Sequence, residues 1–200
     1  MPLSREQIEQ AMMAEPDLKL WRFKQWRLAM LKERLDTKPI ETVFLAEVLD
    51  SVRSSFQKEV EERQLTISTE VADRPVLLGN SDHFRLLWSQ LLSNAIQYTP
   101  DGGRITLSLK TDPHEKQVQG MVSDTGIGIA TEEIPRIFEV FYRSEAAKSI
   151  KETGTGLGLS IVQQILSLYG GTIEIDSTPG KGSSFRFILP QSTLQGGEVP

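Results

Sequence analysis

Cysteine is absent from the chain. That removes a disulfide framework and every thiolate metal site, and it fits a reducing compartment, so the expectation is a cytoplasmic domain, whatever anchors its parent. Long apolar runs are missing too. No stretch reaches membrane-spanning length, and the N-terminus lacks the pattern of a signal peptide. Positive charge is in deficit: 22 Lys and Arg face 27 Asp and Glu, a formal net charge of −5, which argues against general nucleic-acid binding. What is left reads as a soluble globular protein. Its 200 residues suffice for one domain of ordinary size plus an appendage.

Against these absences stands Glu152 to Val162, where Gly154, Gly156 and Gly158 occupy alternate positions. Three such glycines make neither a good strand nor a good helix, because glycine loses most backbone entropy on ordering and packs nothing. Leu157, Ile161, Ile165 and Leu168 follow at helical spacing, closed by Gly170-Gly171. The glycines therefore form the entry to a helix. Such an entry presents unpaired N–H groups and the positive end of the helix dipole, which suits phosphate; a simple tight turn is the other reading. Two common phosphate motifs are excluded. No Lys-Ser/Thr follows the last glycine, as Walker A requires, and Leu159 stands where the dinucleotide fingerprint needs glycine.

Residues 1–38 form an expected N-terminal helical segment and linker, with Lys19, Arg22, Lys24, Arg27, Lys32 and Arg34 interleaved with Trp21, Phe23 and Trp26. A helix packed on a partner helix or on the domain, and a basic membrane-surface helix, are both open readings. In the main domain, residues 39–190, Leu45 to Val60 reads as one helix. Leu65 to Val71 and Pro75 to Leu78 read as strands, and Asp82 to Tyr98 as a second helix that Asn80, Ser81 or Asp82 caps. That helix is apolar except for a stripe of Gln90, Asn94, Gln97 and Tyr98, which on composition alone would face solvent. Ile105 to Leu109 and Val118 to Val122 read as a hairpin that runs into Asp124-Thr125-Gly126-Ile127-Gly128-Ile129. A carboxylate at a strand's end followed by glycines is one acceptor on rigid backbone with space cleared beside it. Asp-Thr-Gly is also the aspartic-protease triplet; that chemistry needs two carboxylates, and the chain holds one copy, so only a dimer could supply the second, and the other glycine loop would stay unexplained.

Ala130 to Thr153 reads as a lid, with a helix start at Thr131, an aromatic cluster of Phe138, Phe141 and Tyr142, and the cations Arg143, Lys148 and Lys151. Thr172 to Asp176 and Phe185 to Leu189 close the domain as strands, and residues 191–200 are an expected disordered tail.

Four stretches in fixed order, around Asn94, from Asp124 to Ile129, from Ile137 to Arg143, and from Gly154 to Leu159, closely resemble the N, G1, F and G2 boxes of the catalytic ATP-binding domain of sensor histidine kinases. The wider group includes gyrase, Hsp90 and MutL. The resemblance implies a two-layer α/β sandwich, the Bergerat ATP-binding fold, with a mixed, mostly antiparallel sheet packed on helices and the nucleotide under a mobile lid. It implies ATP and Mg²⁺ as cofactors, with Asn94 as the metal ligand and Asp124 as acceptor for the adenine amine. Gly126, Gly128 and Ile129 would lie beside the nucleotide, and Tyr98, Tyr142 and Arg143 would contact it. Gly154, Thr155, Gly156, Leu157, Gly158 and Leu159 would cradle phosphate, and Ser183 would stand near the adenine.

Three departures matter. Gln97 replaces the usual lysine or arginine, for which Arg143, Lys148 or Lys151 could substitute. Gln90 stands where histidine kinases usually carry Asn and hydrolysing relatives Glu, and an amide cannot act as a general base. The acceptor histidine is missing: His83 and His114 lack its context and read as surface residues. The expected partners are a histidine-bearing dimerisation domain in a dimeric parent kinase and a response regulator. A serine kinase of the anti-sigma type and a non-transferring ATP-binding switch are the alternatives on the same fold.

Overall fold

A computed structural model describes residues 40–150 and 154–191. The tryptophan-rich segment, Lys151 to Thr153 and all but the first residue of the expected tail lie outside the described residues. The chain divides after Pro39 into two units, and the described residues all belong to the second, which begins at Ile40.

Alternation builds the sheet. In β4 (Arg104–Asp112), Ile105, Leu107 and Leu109 are fully buried while their neighbours are not. β5 (Gln117–Asp124) turns Val118 and Val122 to the same side, and β7 (Gly182–Pro190) turns Phe185, Phe187 and Leu189 there. With β2 (Thr66–Val71) and β6 (Thr172–Thr178) the strands run in the order β2-β4-β5-β7-β6. β2 lies parallel to β4; every other pair is antiparallel. Gly120 faces Phe187 across the β5–β7 ladder, and a Cβ at Gly120 would lie 2.1 Å from that ring. The missing side chain thus admits the ring, which meets Trp88 edge-on at 4.9 Å.

The helical layer centres on α3 (Ser81–Tyr98), which packs on β5, on α1 (Leu45–Ser55) and on α5 (Gly158–Leu168). Of the three capping candidates it is Asn80 whose side chain accepts the Asp82 N–H, at 2.9 Å. Phe84, Leu87, Trp88, Leu91, Leu92 and Ile96 are essentially inaccessible to solvent. A helix buried on this many sides leaves little room for a polar stripe, which sharpens the question of what Gln90, Asn94 and Gln97 face.

The structure departs from the sequence reading in four places. The expected helix from Leu45 to Val60 breaks at Phe56 into α1 and α2 (Gln57–Glu62). The Ser54 and Ser55 hydroxyls bond back to the Asp50 and Val52 carbonyls, at 2.8 and 2.6 Å, competing with the helix's own bonds. An unexpected strand β1 (Glu41–Phe44) pairs antiparallel with β3 (Val76–Gly79) as a separate ribbon. The helix start at Thr131 yields only a turn and one 3-10 turn (Ile134–Arg136), because Pro135 has no N–H to give; α4 (Glu145–Ile150) comes later. His83 is not a surface residue. It is 7% exposed, with Nδ1 2.8 Å from the Tyr169 hydroxyl, which also accepts the Asn80 N–H at 2.9 Å. His114 is exposed in the β4–β5 turn.

Candidate functional site

The stripe on α3 faces a cavity of about 390 Å³, and Gln90, Ser93, Asn94, Gln97 and Tyr98 form its floor. The C-terminal end of that floor is held from outside. Arg63 donates to the Ile96 carbonyl and, at 2.7 Å, to the Thr99 carbonyl, two of the groups a helix end leaves unpaired. Its Nε pairs with Asp101 at 2.9 Å. The Tyr98 carbonyl accepts the Ile127 N–H at 3.2 Å, tying the helix end to the loop after β5.

One end of the cavity is made by strands. Asp124 and Ser183 stand opposite each other on β5 and β7, and both line the cavity with Phe185 and Ile127 to Ile129. Asp124 Oδ1 accepts the Gly126 N–H at 2.8 Å and the Ser183 N–H at 3.3 Å, leaving Oδ2 for the cavity. Burial pushes this carboxyl above the usual carboxylate range, and the two N–H donors oppose that push without cancelling it. The glycines here serve close packing. A Cβ at Gly126 would lie 2.5 Å from the Tyr98 carbonyl oxygen, and one at Gly128 would lie 2.0 Å from that of Thr178. Gly126 itself does not line the cavity; it brings its N–H to Asp124.

The other end is made by loops. Gly154, Thr155, Gly156, Gly158 and Leu159 line it, while Leu157 is buried behind them. No side chain caps the α5 N-terminus, so its first N–H groups are left for a ligand or water. A Cβ at Gly158 would lie 2.7 Å from Gln90 Oε1, which puts the loop directly over the α3 floor. The lid is tied to the same loop: the Phe141 N–H donates to the Gly156 carbonyl at 2.8 Å, and both residues have positive φ. Arg143 packs against Gly154 and donates to the Ala147 carbonyl at 2.9 Å. Tyr142 bonds Glu133 and carries the Arg136 guanidinium over its ring. Of the two described lid cations named as substitutes for the missing charge at position 97, Arg143 lines the cavity. Lys148 pairs with Glu145 and does not.

Sequence reasoning missed Ser93, Ala95, Ile127, Ile137, Ser144, Ala147 and Phe185 as lining residues. Phe185 was legible in principle as the inward position two residues after Ser183. Neither histidine lines the cavity.

The family model described as histidine kinase-, DNA gyrase B-, and HSP90-like ATPase matches residues 79–193, more than half of the chain, and the chain belongs to this family. It is an ATP-binding catalytic domain of the histidine kinase type, with the mixed, mostly antiparallel sheet packed on helices that the four boxes implied. The phosphate regulon sensor protein PhoR of Pseudomonas aeruginosa is 38% identical over 150 residues, 75% of this chain and 33% of that protein. The adaptive-response sensory kinase SasA of Thermosynechococcus vestitus is 36% identical over 164 residues, 82% of this chain and 40% of that one. The chain thus spans about a third of the length of these curated relatives. Among solved structures, a mycobacterial sensor histidine kinase, MprB, superposes with a TM-score of 0.66 at 27% identity, over 76% of this chain and 97% of that one. The catalytic domain of the histidine kinase ThkA has the same fold, with a TM-score of 0.68 at 23% identity over 77% of this chain and 97% of that one. No helix among the described residues is long and apolar enough to cross a membrane.

Proposed function

We propose that the domain binds ATP with Mg²⁺ in this cavity and hands the γ-phosphoryl group to a histidine on a separate dimerisation domain. That domain would belong to a dimeric two-component sensor kinase and would serve a response regulator. The observation that carries the reading is one cavity with an acceptor at one end, uncapped backbone N–H groups at the other, and an amide-bearing helix between. Asp124 Oδ2 takes the adenine amine. The Gly154–Leu159 backbone and Arg143 take the phosphates. Among the described residues no cluster of three or more His, Cys, Asp or Glu could hold a metal by itself. Asn94, which lines the cavity floor, would hold a Mg²⁺ arriving with the nucleotide, its amide oxygen suiting a hard cation. When bound, the ion supplies charge that offsets the charge on the phosphate oxygens.

Gln90, beside Asn94, orients a ligand or a water but takes no proton, which favours transfer over hydrolysis. In transfer the γ-phosphorus leaves the β,γ-bridging oxygen for an imidazole nitrogen, and ADP departs. The protein's share is positioning and charge. With both histidines outside the cavity, the acceptor is supplied from elsewhere.

Two measurements test this. Asn94→Ala is expected to remove the Mg²⁺-dependent part of ATP binding with the fold intact; unchanged Mg²⁺ dependence would refute the assignment. The chain mixed with a histidine-bearing dimerisation domain is expected to label that domain and not itself. Stable labelling of the chain alone at His83 or His114 would overturn transfer to an outside acceptor.

A further inference from the structure

Behind the Asp124 end lies a hydroxyl that does not line the cavity. Ser177, on β6, is half-buried and makes three polar contacts. Its Oγ accepts the Ile129 N–H at 2.8 Å, lies 3.1 Å from the Gly182 carbonyl oxygen, and lies 2.9 Å from Ser183 Oγ. A serine hydroxyl has one proton and two lone pairs. An amide N–H only donates and a carbonyl oxygen only accepts. The arrangement that satisfies all three contacts sends the Ser177 proton to Gly182, gives one lone pair to Ile129 and leaves the other for the proton of Ser183. Ser183 spends its only proton on Ser177. What it offers the cavity is lone pairs. Asp124, when ionised, offers lone pairs as well.

We infer that Ser177 is a positioning residue for base selection. By holding the Ser183 proton it keeps this end of the cavity made of acceptors alone. Such an end matches a purine with an exocyclic amine, which brings two N–H donors. It opposes a purine with a carbonyl at the same position, whose lone pairs would face those of Asp124 and Ser183. Without the Ser177 hydroxyl, Ser183 is free to turn its proton into the cavity and greet a carbonyl. The inference rests on the reading of the Asp124 end as the base-recognition end.

ATP and inosine triphosphate, which differ in the amine or carbonyl at that position and in the acceptor or N–H at the adjacent ring N1, are the probes, titrated against the full chain. The wild type is expected to prefer ATP. Ser177→Ala is expected to narrow the preference roughly 3- to 10-fold, about what one hydrogen bond decides. Ser177→Thr, which keeps the hydroxyl, is expected to restore it. If Ser177→Ala weakens both nucleotides equally and leaves the ratio unchanged, Ser177 merely supports the fold and the inference is overturned. Ser183→Ala tests the same assignment without touching Ser177. It should lower ATP affinity and spare the inosine nucleotide; the reverse would mean a donating Ser183 and would overturn the inference. A wild type that binds ATP but does not discriminate would overturn the base-end reading and this inference together. A wild type that binds neither nucleotide would overturn the proposed function itself.

Discussion

The two ends of the cavity are built by opposite means. At the Asp124 end, side chains project from strands, and each is fixed by a partner on a neighbouring strand or loop: Asp124 by Gly126 and Ser183, Ser183 by Ser177, Ser177 by Ile129. At the glycine end the working groups are backbone N–H, and the loop that carries them is tied to the lid through Phe141 and Gly156. On the proposed function the first design would tell one base from another, because its acceptors are held in place by those partners. The second would grip any phosphate chain, and little apolar surface anchors the segment beside it: α4 has no buried residue. On that reading, telling bases apart and holding phosphate fall to different kinds of structure.

Breaking the strand-built end should have the largest effect. Asp124→Asn keeps an oxygen for Gly126 and Ser183 but turns an N–H₂ toward the base. ATP affinity is expected to fall by about 1.5–3 kcal/mol, roughly 10- to 150-fold, in a direct titration. Phosphate-end contacts should be spared, so inorganic triphosphate should compete as it does against the wild type.

Gly156→Ala strikes the other end, with a smaller loss. Its φ is +61°, and a Cβ would lie 2.6 to 2.8 Å from the Phe141 backbone. The left-handed conformation costs a non-glycine residue about 1–2 kcal/mol, so ATP should weaken roughly 5- to 30-fold while adenosine binds as before. A parallel loss of adenosine would mean that the two ends are not independent.

The smallest effect is expected with pH. Asp124 titrates above the usual carboxylate range because burial disfavours its charge. Above that raised pKa the group is an acceptor; below it, the carboxyl carries a proton and can donate. The preference for adenosine over inosine should therefore be complete at higher pH and shrink as pH falls through the raised pKa. It should start to shrink at a higher pH than for an exposed aspartate. Nucleosides are the right probes, since phosphates titrate in the same region. A preference that is flat into the acid range would show that Asp124 does not read the base.

What the sequence made legible obeys the same division. The glycine loop was legible as a helix entry, although by itself a simple tight turn was an equal reading. Asp124 was legible too, because a strand of alternating residues ends on it. The amide stripe on α3 was visible, although only the fold shows that it faces a cavity and not bulk water. What stayed hidden depends on partners far along the chain. His83 is buried with its ring against the Tyr169 hydroxyl, 86 positions on, and the Ser177 hydroxyl takes the N–H of Ile129, 48 positions back. Nothing local marks either. β1 is four residues long and finds its partner only at Val76–Gly79. The break at Phe56 has no glycine or proline to signal it, only two serines whose hydroxyls compete for carbonyls.

Arg63 grips carbonyl oxygens, and a carbonyl is the same whichever residue carries it. The last turn of α3 is therefore anchored without reference to the side chains it bears. Gln97→Lys or Gln97→Arg would leave both Arg63 bonds in place while adding positive charge to the cavity floor. A lineage or a protein engineer adjusting nucleotide affinity at that position has no folding constraint from the clamp to work around.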